Sequence, residues 1–424
     1  MRVALLSYRS KPHCGGQGVY VRHLSRELTA LGHRVEVFSG QPYPELDPGV
    51  ILRPVASLDL YRDDDPFRTP PLAEWRDAID AIEVATMWTA GFPEPLTFSL
   101  RVARELRRRR NDFDVVHDNQ GLGYGLLRVR ALGLPVAATV HHPISVDRRI
   151  ALRETSGFRR LGQRRWYGFV RMQARVARRL GPIITVSHSS AGDISRDFGV
   201  PADRLRVVPL GVDTGVFRPS RVPREPGRIV AIASADSPVK GVNTLLRAVA
   251  KLATERDVHL TVVGRPRAGG PTERLADELA LGDRLRFVNG IDDAQLAAVL
   301  ASAEIAVVPS LYEGFSLPAV EAMACATPLV VSRAGALPEV VGADEPGHRD
   351  DPAARLVTPG DPEELAAHLA SLLDNPGLRR RMGDAGWRRV QERFTWRAVA
   401  VATGRCYEEV RAARVRSHQG RTSC

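Results

Sequence analysis

The chain has 424 residues, of which 44% are hydrophobic and 26% are charged. This composition is typical of a globular protein, and the length is sufficient for two or three domains. The four cysteines are scattered and show neither metal-ligand spacing nor a disulfide framework, which favours a reducing, cytoplasmic setting. Met1 to Tyr8 has the pattern of a short strand rather than a signal peptide, and no run reaches the ~18 apolar residues of a membrane span.

The formal net charge is +11, and all but three of the 60 basic residues are arginine. The three lysines are Lys11, Lys240 and Lys251. Such an excess of arginine is typical of a GC-rich coding sequence. The net charge alone therefore does not indicate a nucleic-acid or membrane partner, and local clusters of charge are more informative.

The N-terminal segment predicts one β-α-β unit. Arg2–Ser7 is an apolar strand, a glycine-rich loop follows, and a helix with an apolar face precedes a second strand at Arg34–Phe38. This is the layout of a doubly wound sheet, although the glycine spacing does not fit the dinucleotide fingerprint. The loop opens a helix after the first strand, so we expect Gly15 and Gly16 to contact a phosphate or a sugar.

Polar residues follow the predicted strands of the first half. His141 and His142 end one of these strands, where a histidine can bind a hydroxyl or an oxyanion, or can simply be packed or solvated. The absence of an acidic partner nearby argues against a metal site there. Asp63–Asp65 lie in a loop-like stretch before a proline, which favours a solvated turn over a metal site. The strands are predicted at 115–117, 135–140 and 183–187.

A stretch rich in proline, glycine and charge, Gly211–Gly227, is predicted to link two domains. Alternation of strands and helices in both halves predicts an α/β protein with two doubly wound domains and a ligand cleft between them. A helix is predicted over Trp387–Val410, with Trp396 in a core. The domains are placed at residues 1–215 and 216–395, followed by a C-terminal segment, 396–424. Strands of the second half are predicted at 229–233, 259–263, 285–288, 305–308 and 329–331.

Two carboxylates, Glu313 and Glu321, flank a predicted junction between a strand and a helix that begins near Pro318 and runs to Ala326. Such loops bind ligands in α/β proteins, and N–H groups at a helix N-terminus favour phosphate. A sugar nucleotide suits both features, because its hydroxyls donate to carboxylates while its pyrophosphate accepts from N–H groups. The alternative is a surface loop with two solvated glutamates. The N–H groups belong to Gly314, Phe315, Ser316 and Leu317.

In combination, these motifs resemble those of retaining glycosyltransferases with the GT-B fold, specifically glycosyltransferase family 4. The resemblance covers nearly the whole chain and depends on the order and spacing of the motifs. Segment 207–213 is similar to the usual crossing into the second domain. The other matching elements are Gly15-Gly16, His141, Lys240-Gly241, Val288-Asn289-Gly290-Ile291 and Glu313-x7-Glu321.

The resemblance implies roles at the donor phosphates. Gly16 would approach a phosphate, and Lys240, otherwise an ordinary surface lysine, would neutralise the pyrophosphate. The family usually has an arginine six residues before this lysine, where this chain has Ser234. Arg265 and Arg267 follow a neighbouring predicted strand and are candidates for the missing charge.

The resemblance also implies roles at the sugar and the nucleoside. His141 would hydrogen-bond the donor sugar, Glu313 would hold a sugar hydroxyl, and Glu321 would hold the ribose. The backbone at Gly290 and Ile291 would meet the base. The candidate catalytic residues are His141, Lys240 and Glu313.

The implied activity is transfer of a sugar, with retention, from a UDP- or GDP-sugar to a carbohydrate or glycolipid acceptor. The resemblance implies no obligatory metal or cofactor, because Lys240 and N–H groups would stabilise the leaving group. A sugar-nucleotide epimerase, which needs no acceptor, is one alternative. A non-catalytic nucleotide- or nucleic-acid-binding protein is another, but no nucleic-acid motif is present and no such partner is expected.

The segment Arg148–Arg179 contains 11 arginines and one acidic residue. A helical pattern over 166–180 would separate an apolar, aromatic side from a stripe of Arg171, Arg175 and Arg178. A basic amphipathic helix can lie on an anionic membrane, which predicts a peripheral location on the inner face of the cell membrane. The alternative is that its apolar side packs on the first domain.

Overall fold

A computed structural model of the chain describes residues 1–10, 16–62, 64–153, 155–343, 345 and 352–422. The chain divides into two compact units. The first unit comprises Met1–Val186, Ser190–Val208 and Val399–Cys424, and the second comprises Ser187–Ser189 and Pro209–Ala398.

The first unit is built on a parallel sheet. Its strands are β1 (Arg2–Ser7), β2 (Arg34–Ser39), β3 (Ile51–Pro54), β4 (Tyr61–Arg62), β5 (Asp65–Pro66), β6 (Val115–Asn119), β7 (Val136–Val140), β8 (Ile183–Thr185) and β9 (Leu205–Val207). Its helices are α1 (Gly16–Ala30), α2 (Ala78–Trp88), α3 (Glu94–Arg108), α4 (Gly125–Ala131), α5 (Ser145–Arg153), α6 (Gly157–Trp166), α7 (Phe169–Ala177) and α8 (His188–Phe198). The sheet order is β3-β2-β1-β6-β7-β8-β9, and β4 and β5 form a separate antiparallel hairpin.

The second unit contains another parallel sheet, with the order β12-β11-β10-β13-β14-β15. These strands are β10 (Glu225–Ile232), β11 (His259–Val263), β12 (Leu285–Val288), β13 (Ala303–Val308), β14 (Leu329–Ser332) and β15 (Ala354–Val357). The helices are α9 (Val242–Leu252), α10 (Pro271–Glu278), α11 (Asp293–Ser302), α12 (Leu317–Ala324), α13 (Leu337–Val341), α14 (Pro362–Leu373) and α15 (Pro376–Arg393). The last helix, α16 (Trp396–Thr422), begins in this unit and continues into the first.

Alternation along β13 shows why this sequence forms a central strand. Ile305 and Val307 belong to one hydrophobic core of the second unit, while Ala306 and Val308 belong to another. Successive side chains of a strand point to opposite faces, so a continuous apolar run requires that both faces be covered by helices. All four residues are at most 4% exposed.

The predicted central strands are confirmed, and β11 and β12 have the predicted bounds. The prediction missed five short strands, which are β3, β9 and β15 at edges of the two large sheets and β4 and β5 of the hairpin. It also placed the start of β10 too late, because this strand begins at Glu225, inside the predicted linker. The missed strands are two to four residues long, and so short a run gives a weak apolar pattern, although β12, an edge strand of four residues, was predicted.

Two predicted helices are interrupted. The helix predicted over 387–410 breaks between α15 and α16, where Val212 N donates to Phe394 O at 2.8 Å. Val212 also forms a bridge with Thr395, so a distant segment uses backbone groups that a continuous helix would need. Trp396, which follows the break, is 4% exposed and packs as predicted.

The helix predicted over 166–180 is shorter than expected: it corresponds to α7 (Phe169–Ala177), and Trp166 is the last residue of the preceding helix, α6. Between them Gly168 N donates to Arg165 O, and Val170 N donates to Tyr167 O. These hydrogen bonds join residues three apart, as in a 3₁₀-helix, rather than four apart. The break lets Trp166 pack against Tyr61 and Phe92 while α7 turns its apolar side into the core of the first unit.

Candidate functional site

The strand order of the second unit reverses at β10. The chain runs from β10 outward through β11 to β12, and then returns to the other side of β10 with β13. Ligands of open α/β sheets bind beyond the carboxyl ends of the strands that flank such a reversal. Here those ends lead into the loops that contain Lys240 and Glu313.

Lys240 and Glu313 form an ion pair at this point. Lys240 Nζ donates to Glu313 Oε1 at 2.7 Å, and the Ser310 hydroxyl donates to the same oxygen at 2.8 Å. The Glu313 side chain is 9% exposed and that of Lys240 is 32% exposed. Among the described residues nothing donates to Glu313 Oε2, which is therefore the atom that can accept from a ligand hydroxyl.

The two loops are held together by their backbones. Leu311 N donates to Val239 O at 2.7 Å. Gly241 has φ +66°, and a Cβ there would lie 2.0 Å from the carbonyl oxygen of Pro309. Only glycine allows both this conformation and this close approach, so Gly241 fixes the position of Lys240 relative to Glu313.

The loop after β14 contacts the backbone of Glu313 and fixes its position. Ala336 N donates to the Glu313 carbonyl oxygen at 2.8 Å, and a Cβ on Gly335 would lie 2.1 Å from that oxygen. Neither Ser310 nor Gly335 was predicted. Ser310 lies two residues after the end of β13 and could have been found by its position, whereas Gly335 could not be told from an ordinary turn glycine.

The predicted junction before α12 is confirmed, although the helix runs from Leu317 to Ala324 rather than to Ala326. The Ser316 hydroxyl accepts from Ala319 N at 3.3 Å and caps the helix, and a proline occupies the first turn. Segment 314–317 thus lies at the positive end of a helix dipole, which favours an anion.

Glu321 lies on α12. Burial, with a smaller contribution from the charge of Asp293, raises the pKa of the Glu321 carboxyl to about 7. No described residue donates a hydrogen bond to this carboxylate. Because burial without a partner disfavours the charged form, a ligand that donates hydroxyl hydrogens here would stabilise it.

The other predicted donor contacts also follow strand ends of this sheet. Ser234 and Arg265 are exposed residues after β10 and β11, and Gly290 follows β12 with φ +69° and open space around its Cα. The backbone N–H of Arg267 donates to Asp236, and its side chain, which is 77% exposed, has Nε 3.7 Å from the same carboxylate. Arg265 makes no ion pair with a described residue, so it is the better candidate for the charge absent at Ser234. Ile291 follows Gly290 and is partly exposed.

In the first unit, His141 follows β7. Its N–H donates to Gln120 Oε1 at 2.8 Å, and its Nε2 lies 2.8 Å from Asn119 Oδ1. Tyr20 meets the ring edge-on at 4.7 Å between centroids. Burial, with smaller contributions from two neighbouring histidines, lowers the pKa of His141 to about 3, so the ring is neutral at pH 7. One ring nitrogen therefore donates and the other accepts.

The neighbouring His142 corrects one sequence argument. Its Nε2 lies 3.0 Å from Asp147 Oδ2, so the histidine pair does have an acidic residue nearby. Both side chains are well exposed, which is typical of a surface pair. Asn119, the last residue of β6, and Gln120, which follows it, were not predicted, although two polar residues at a strand end are a usable signal. Gly16 opens α1, and Gly15 lies outside the described residues.

Within the part of the chain that the structure describes, no helix is long and apolar enough to pass through a lipid bilayer. Nor do three or more histidine, cysteine, aspartate or glutamate side chains of that part come together in a way that could hold a metal ion.

Comparison with known proteins agrees with this geometry. A family model described as Glycosyltransferase Family 4 matches residues 14–216, and one described as Glycosyl transferases group 1 matches residues 214–389. The MMP α-(1→4)-mannosyltransferase of Mycolicibacterium hassiacum is 60% identical, over 96% of this chain and 98% of that protein. D-inositol 3-phosphate glycosyltransferase 2 of Catenulispora acidiphila is 31% identical, over 98% of this chain and 97% of that protein.

Solved structures show the same architecture. Sucrose-phosphate synthase of Thermosynechococcus elongatus aligns with a TM-score of 0.70 and 25% identity, over 97% of this chain and all (100%) of that chain. HepE of Anabaena, solved in complex with UDP-glucose, aligns with a TM-score of 0.66 and 17% identity, over 97% of this chain and 100% of its own. The chain therefore has the GT-B fold and is an enzyme that belongs to glycosyltransferase family 4.

Proposed function

We propose that this enzyme transfers mannose from GDP-mannose or UDP-mannose to a carbohydrate acceptor and forms an α-(1→4) linkage. The observation with most weight is the 60% identity to an α-(1→4)-mannosyltransferase over nearly the full length of both chains. The ion pair at the strand reversal supports the proposal, because it puts a cation and a carboxylate where a sugar nucleotide would bind. Nucleotide-activated mannose is α-linked, so an α-linked product requires retention.

In this proposal residues 216–395 bind the donor and residues 1–215 serve the acceptor side. Lys240 and the N–H groups at the start of α12 hold the pyrophosphate, with Arg265 in place of the arginine that the family usually has. Glu321 accepts from the ribose hydroxyls, and the backbone of Gly290 and Ile291 contacts the base. Gly15 and Gly16 approach the donor phosphates.

The sugar itself is held by side chains that accept hydrogen bonds from its hydroxyls or donate hydrogen bonds to them. Glu313 Oε2 accepts from a mannose hydroxyl, because its other oxygen is occupied by Lys240 and Ser310. His141, which is neutral at pH 7, hydrogen-bonds another hydroxyl. A carboxylate engaged in an ion pair is a poor nucleophile, so Glu313 orients the sugar rather than attacking it.

The reaction then takes place on one face of the sugar. The bond from the anomeric carbon to the phosphate oxygen breaks, and the acceptor hydroxyl forms the new bond on the same face. The acceptor proton passes to the leaving phosphate, whose charge is stabilised by Lys240 and by N–H groups. Atoms and charge balance without a covalent enzyme intermediate, which is consistent with the absence of an unpaired carboxylate at Glu313.

The decisive experiment incubates the purified enzyme with a panel of sugar nucleotides and with methyl α-mannoside or short α-(1→4)-linked mannosides. We expect transfer from a mannose donor only, and an α-(1→4) product by NMR. A β-linked product would refute retention, and transfer of another sugar would refute the mannose assignment. Incubation with donor alone tests the epimerase alternative, because an epimerase converts the donor sugar without any acceptor.

We also propose that the enzyme is cytoplasmic and associates with the membrane surface through α6. The apolar side of α7 packs in the core, so it cannot contact lipid. On α6, however, Phe158 and Leu161 are 95% and 63% exposed and lie among the exposed Arg159, Arg160 and Arg164. Apolar side chains flanked by arginines suit an anionic bilayer.

Sedimentation with anionic and neutral vesicles tests this surface. We expect binding to anionic vesicles at low salt, lost at high salt and in a variant with Arg159, Arg160 and Arg164 changed to Glu. The matched control changes Arg171, Arg175 and Arg178 on α7. If wild type ignores anionic vesicles, or the α6 variant still binds, the membrane proposal is wrong and a soluble acceptor is favoured.

A further inference from the structure

A small hairpin of the first unit displays an aromatic ring on a strained backbone. Strands β4 and β5 pair, and Phe67 N donates to Leu60 O at 2.8 Å to close the hairpin. Phe67 has φ +66°, which a bulky side chain rarely adopts, and its ring is 60% exposed. Strain retained at an exposed ring suggests a function for that ring rather than a packing role.

Phe67 is part of a surface of four rings, which we call the aromatic platform: Tyr61, Phe67, Phe92 and Trp166. The Phe67 ring meets Tyr61 at 5.4 Å and Trp166 at 6.0 Å between centroids. Trp166 in turn meets Phe92 at 5.1 Å. Tyr61 is 8% exposed and lies beneath the other rings. Because they pack against this buried ring, the exposed rings are held in fixed positions.

The aromatic platform lies at the carboxyl edge of the sheet of the first unit. Tyr8, which follows β1, contacts Phe92 with ring centroids 6.4 Å apart, and Arg9 donates to Tyr61 O at 3.0 Å. His141 follows β7 in the same parallel sheet, so it belongs to the same edge. This is the edge at which α/β sheets bind ligands.

A polar cavity of about 330 Å³ adjoins the hairpin, and the residues that line it include Gln41, Asp59, Arg62 and Arg68. Asp59 is a second residue with positive φ, +50°, and its carboxylate accepts no hydrogen bond from a described residue. The side-chain oxygen of Gln41, Oε1, accepts from Ser57 N at 2.9 Å, which leaves the side-chain NH₂ group of Gln41 to donate. Arg68 Nη1 donates to Leu58 O, so the cavity wall is fixed.

From this juxtaposition we infer that the aromatic platform and the polar cavity form an acceptor subsite for a carbohydrate chain. The C–H faces of pyranose rings pack on aromatic rings, while their hydroxyls donate to Asp59 and accept from Gln41 and Arg62. A few fixed polar groups beside an apolar surface are typical of a ligand site. This inference rests on the proposed function, and it assigns the subsite to sugars distal to the one that receives mannose.

The charges at the hairpin tip are paired. The carboxylates of Asp64 and Asp65, 76% and 54% exposed, both pair with Arg62. The tip therefore presents no excess of positive charge that would attract anionic headgroups, whereas neutral sugar hydroxyls can still donate to its carboxylates.

The test compares acceptors of two lengths in the full-length enzyme. In Phe67→Ala and Asp59→Asn variants, KM for α-(1→4)-linked mannotetraose should rise about tenfold, while KM for methyl α-mannoside and for the donor stays unchanged. Phe67→Gly separates the effect of losing the ring from the effect of relieving the backbone strain. Glycine adopts a positive φ without strain, so this variant should unfold less readily, while the loss of the ring should still raise KM for mannotetraose. Val222→Ala is the matched control, since Val222 is 68% exposed in the second unit.

Two results would overturn the subsite. One is an equal change in KM for mannotetraose and for methyl α-mannoside, and the other is an unchanged KM for mannotetraose in Phe67→Gly. Saturation-transfer NMR of mannotetraose with donor-free enzyme distinguishes this failure from failure of the proposed function. Binding to wild type that is lost in Phe67→Gly supports the subsite even if no mannose is transferred. No binding of mannotetraose to wild type overturns it even if methyl α-mannoside is a substrate.

Discussion

Replacing Lys240 by alanine tests the donor site most directly. The change removes the cation 2.7 Å from Glu313 and leaves a carboxylate that is 9% exposed with Ser310 as its remaining partner. Removing one partner of a fully buried pair costs about 3–5 kcal/mol, but Lys240 is 32% exposed and water screens the pair. We therefore expect the free energy of unfolding to fall by about 1–2 kcal/mol.

The same change should weaken donor binding more than it weakens the fold. A charge-assisted hydrogen bond to phosphate contributes about 1.5–3 kcal/mol, which corresponds to a rise in donor Kd of about 10- to 150-fold. Glu313→Gln should have the opposite effect on binding. The amide keeps the shape and releases the charge of Lys240, so donor Kd should fall by about two- to tenfold, while kcat falls because the sugar is held less well.

Isothermal titration with donor and with free nucleoside diphosphate measures these constants, and urea unfolding measures stability. Lys251→Ala is the matched control, because Lys251 also pairs with a glutamate, Glu363, but both side chains are more than half exposed. A folded Lys240→Ala variant with wild-type donor affinity would refute the donor site. Equal weakening by Lys240→Ala and Glu313→Gln would refute the argument that the two charges compensate each other.

Three other changes test neighbouring parts of the site. Arg265→Ala should raise donor Kd about tenfold, whereas Arg267→Ala should not, because its side chain already faces Asp236; titration calorimetry checks both. The raised pKa of Glu321 means that the folded state binds more protons than the unfolded state between about pH 4.5 and 7, so stability falls as pH rises through that window. Glu321→Gln should flatten this dependence in urea unfolding, and Glu321→Ala should weaken donor binding. Gly241→Ala should destabilise the protein by several kcal/mol more than Gly290→Ala, since both glycines have positive φ but only the former Cβ would meet backbone, at 2.0 Å; equal effects in thermal unfolding would contradict this.

Apolar content explains which strands could be predicted from the sequence better than burial does. His259–Val263 has three buried residues and the predicted bounds. Leu285–Val288 also has the predicted bounds, although it is an edge strand with no buried residue. Ile51–Pro54 likewise has no buried residue, but half of it is arginine and proline, so its sequence lacks the apolar signal. The break before Trp396 was not predictable locally, because it depends on Val212, which is distant in the chain.

The site was predictable residue by residue but not as a set of contacts. Lys240 and Glu313 were both identified, yet their pairing was not, because they are 73 residues apart and meet only because β10 lies beside β13. Sequence resemblance assigns each residue to a part of the donor. It does not say which side chains neutralise one another before the donor arrives.

That pairing answers an objection that the sequence itself raises, namely that two carboxylates beside a pyrophosphate should repel it. Lys240 already neutralises Glu313, and burial holds Glu321 near its midpoint of titration at neutral pH, so neither carboxylate presents a full uncompensated charge. The pyrophosphate then meets the N–H groups at the start of α12, equivalent to about half a positive charge, and the exposed Arg265. A site of this kind needs only one further cation to favour the donor, which is why the absence of an arginine at Ser234 is tolerable if Arg265 takes its place.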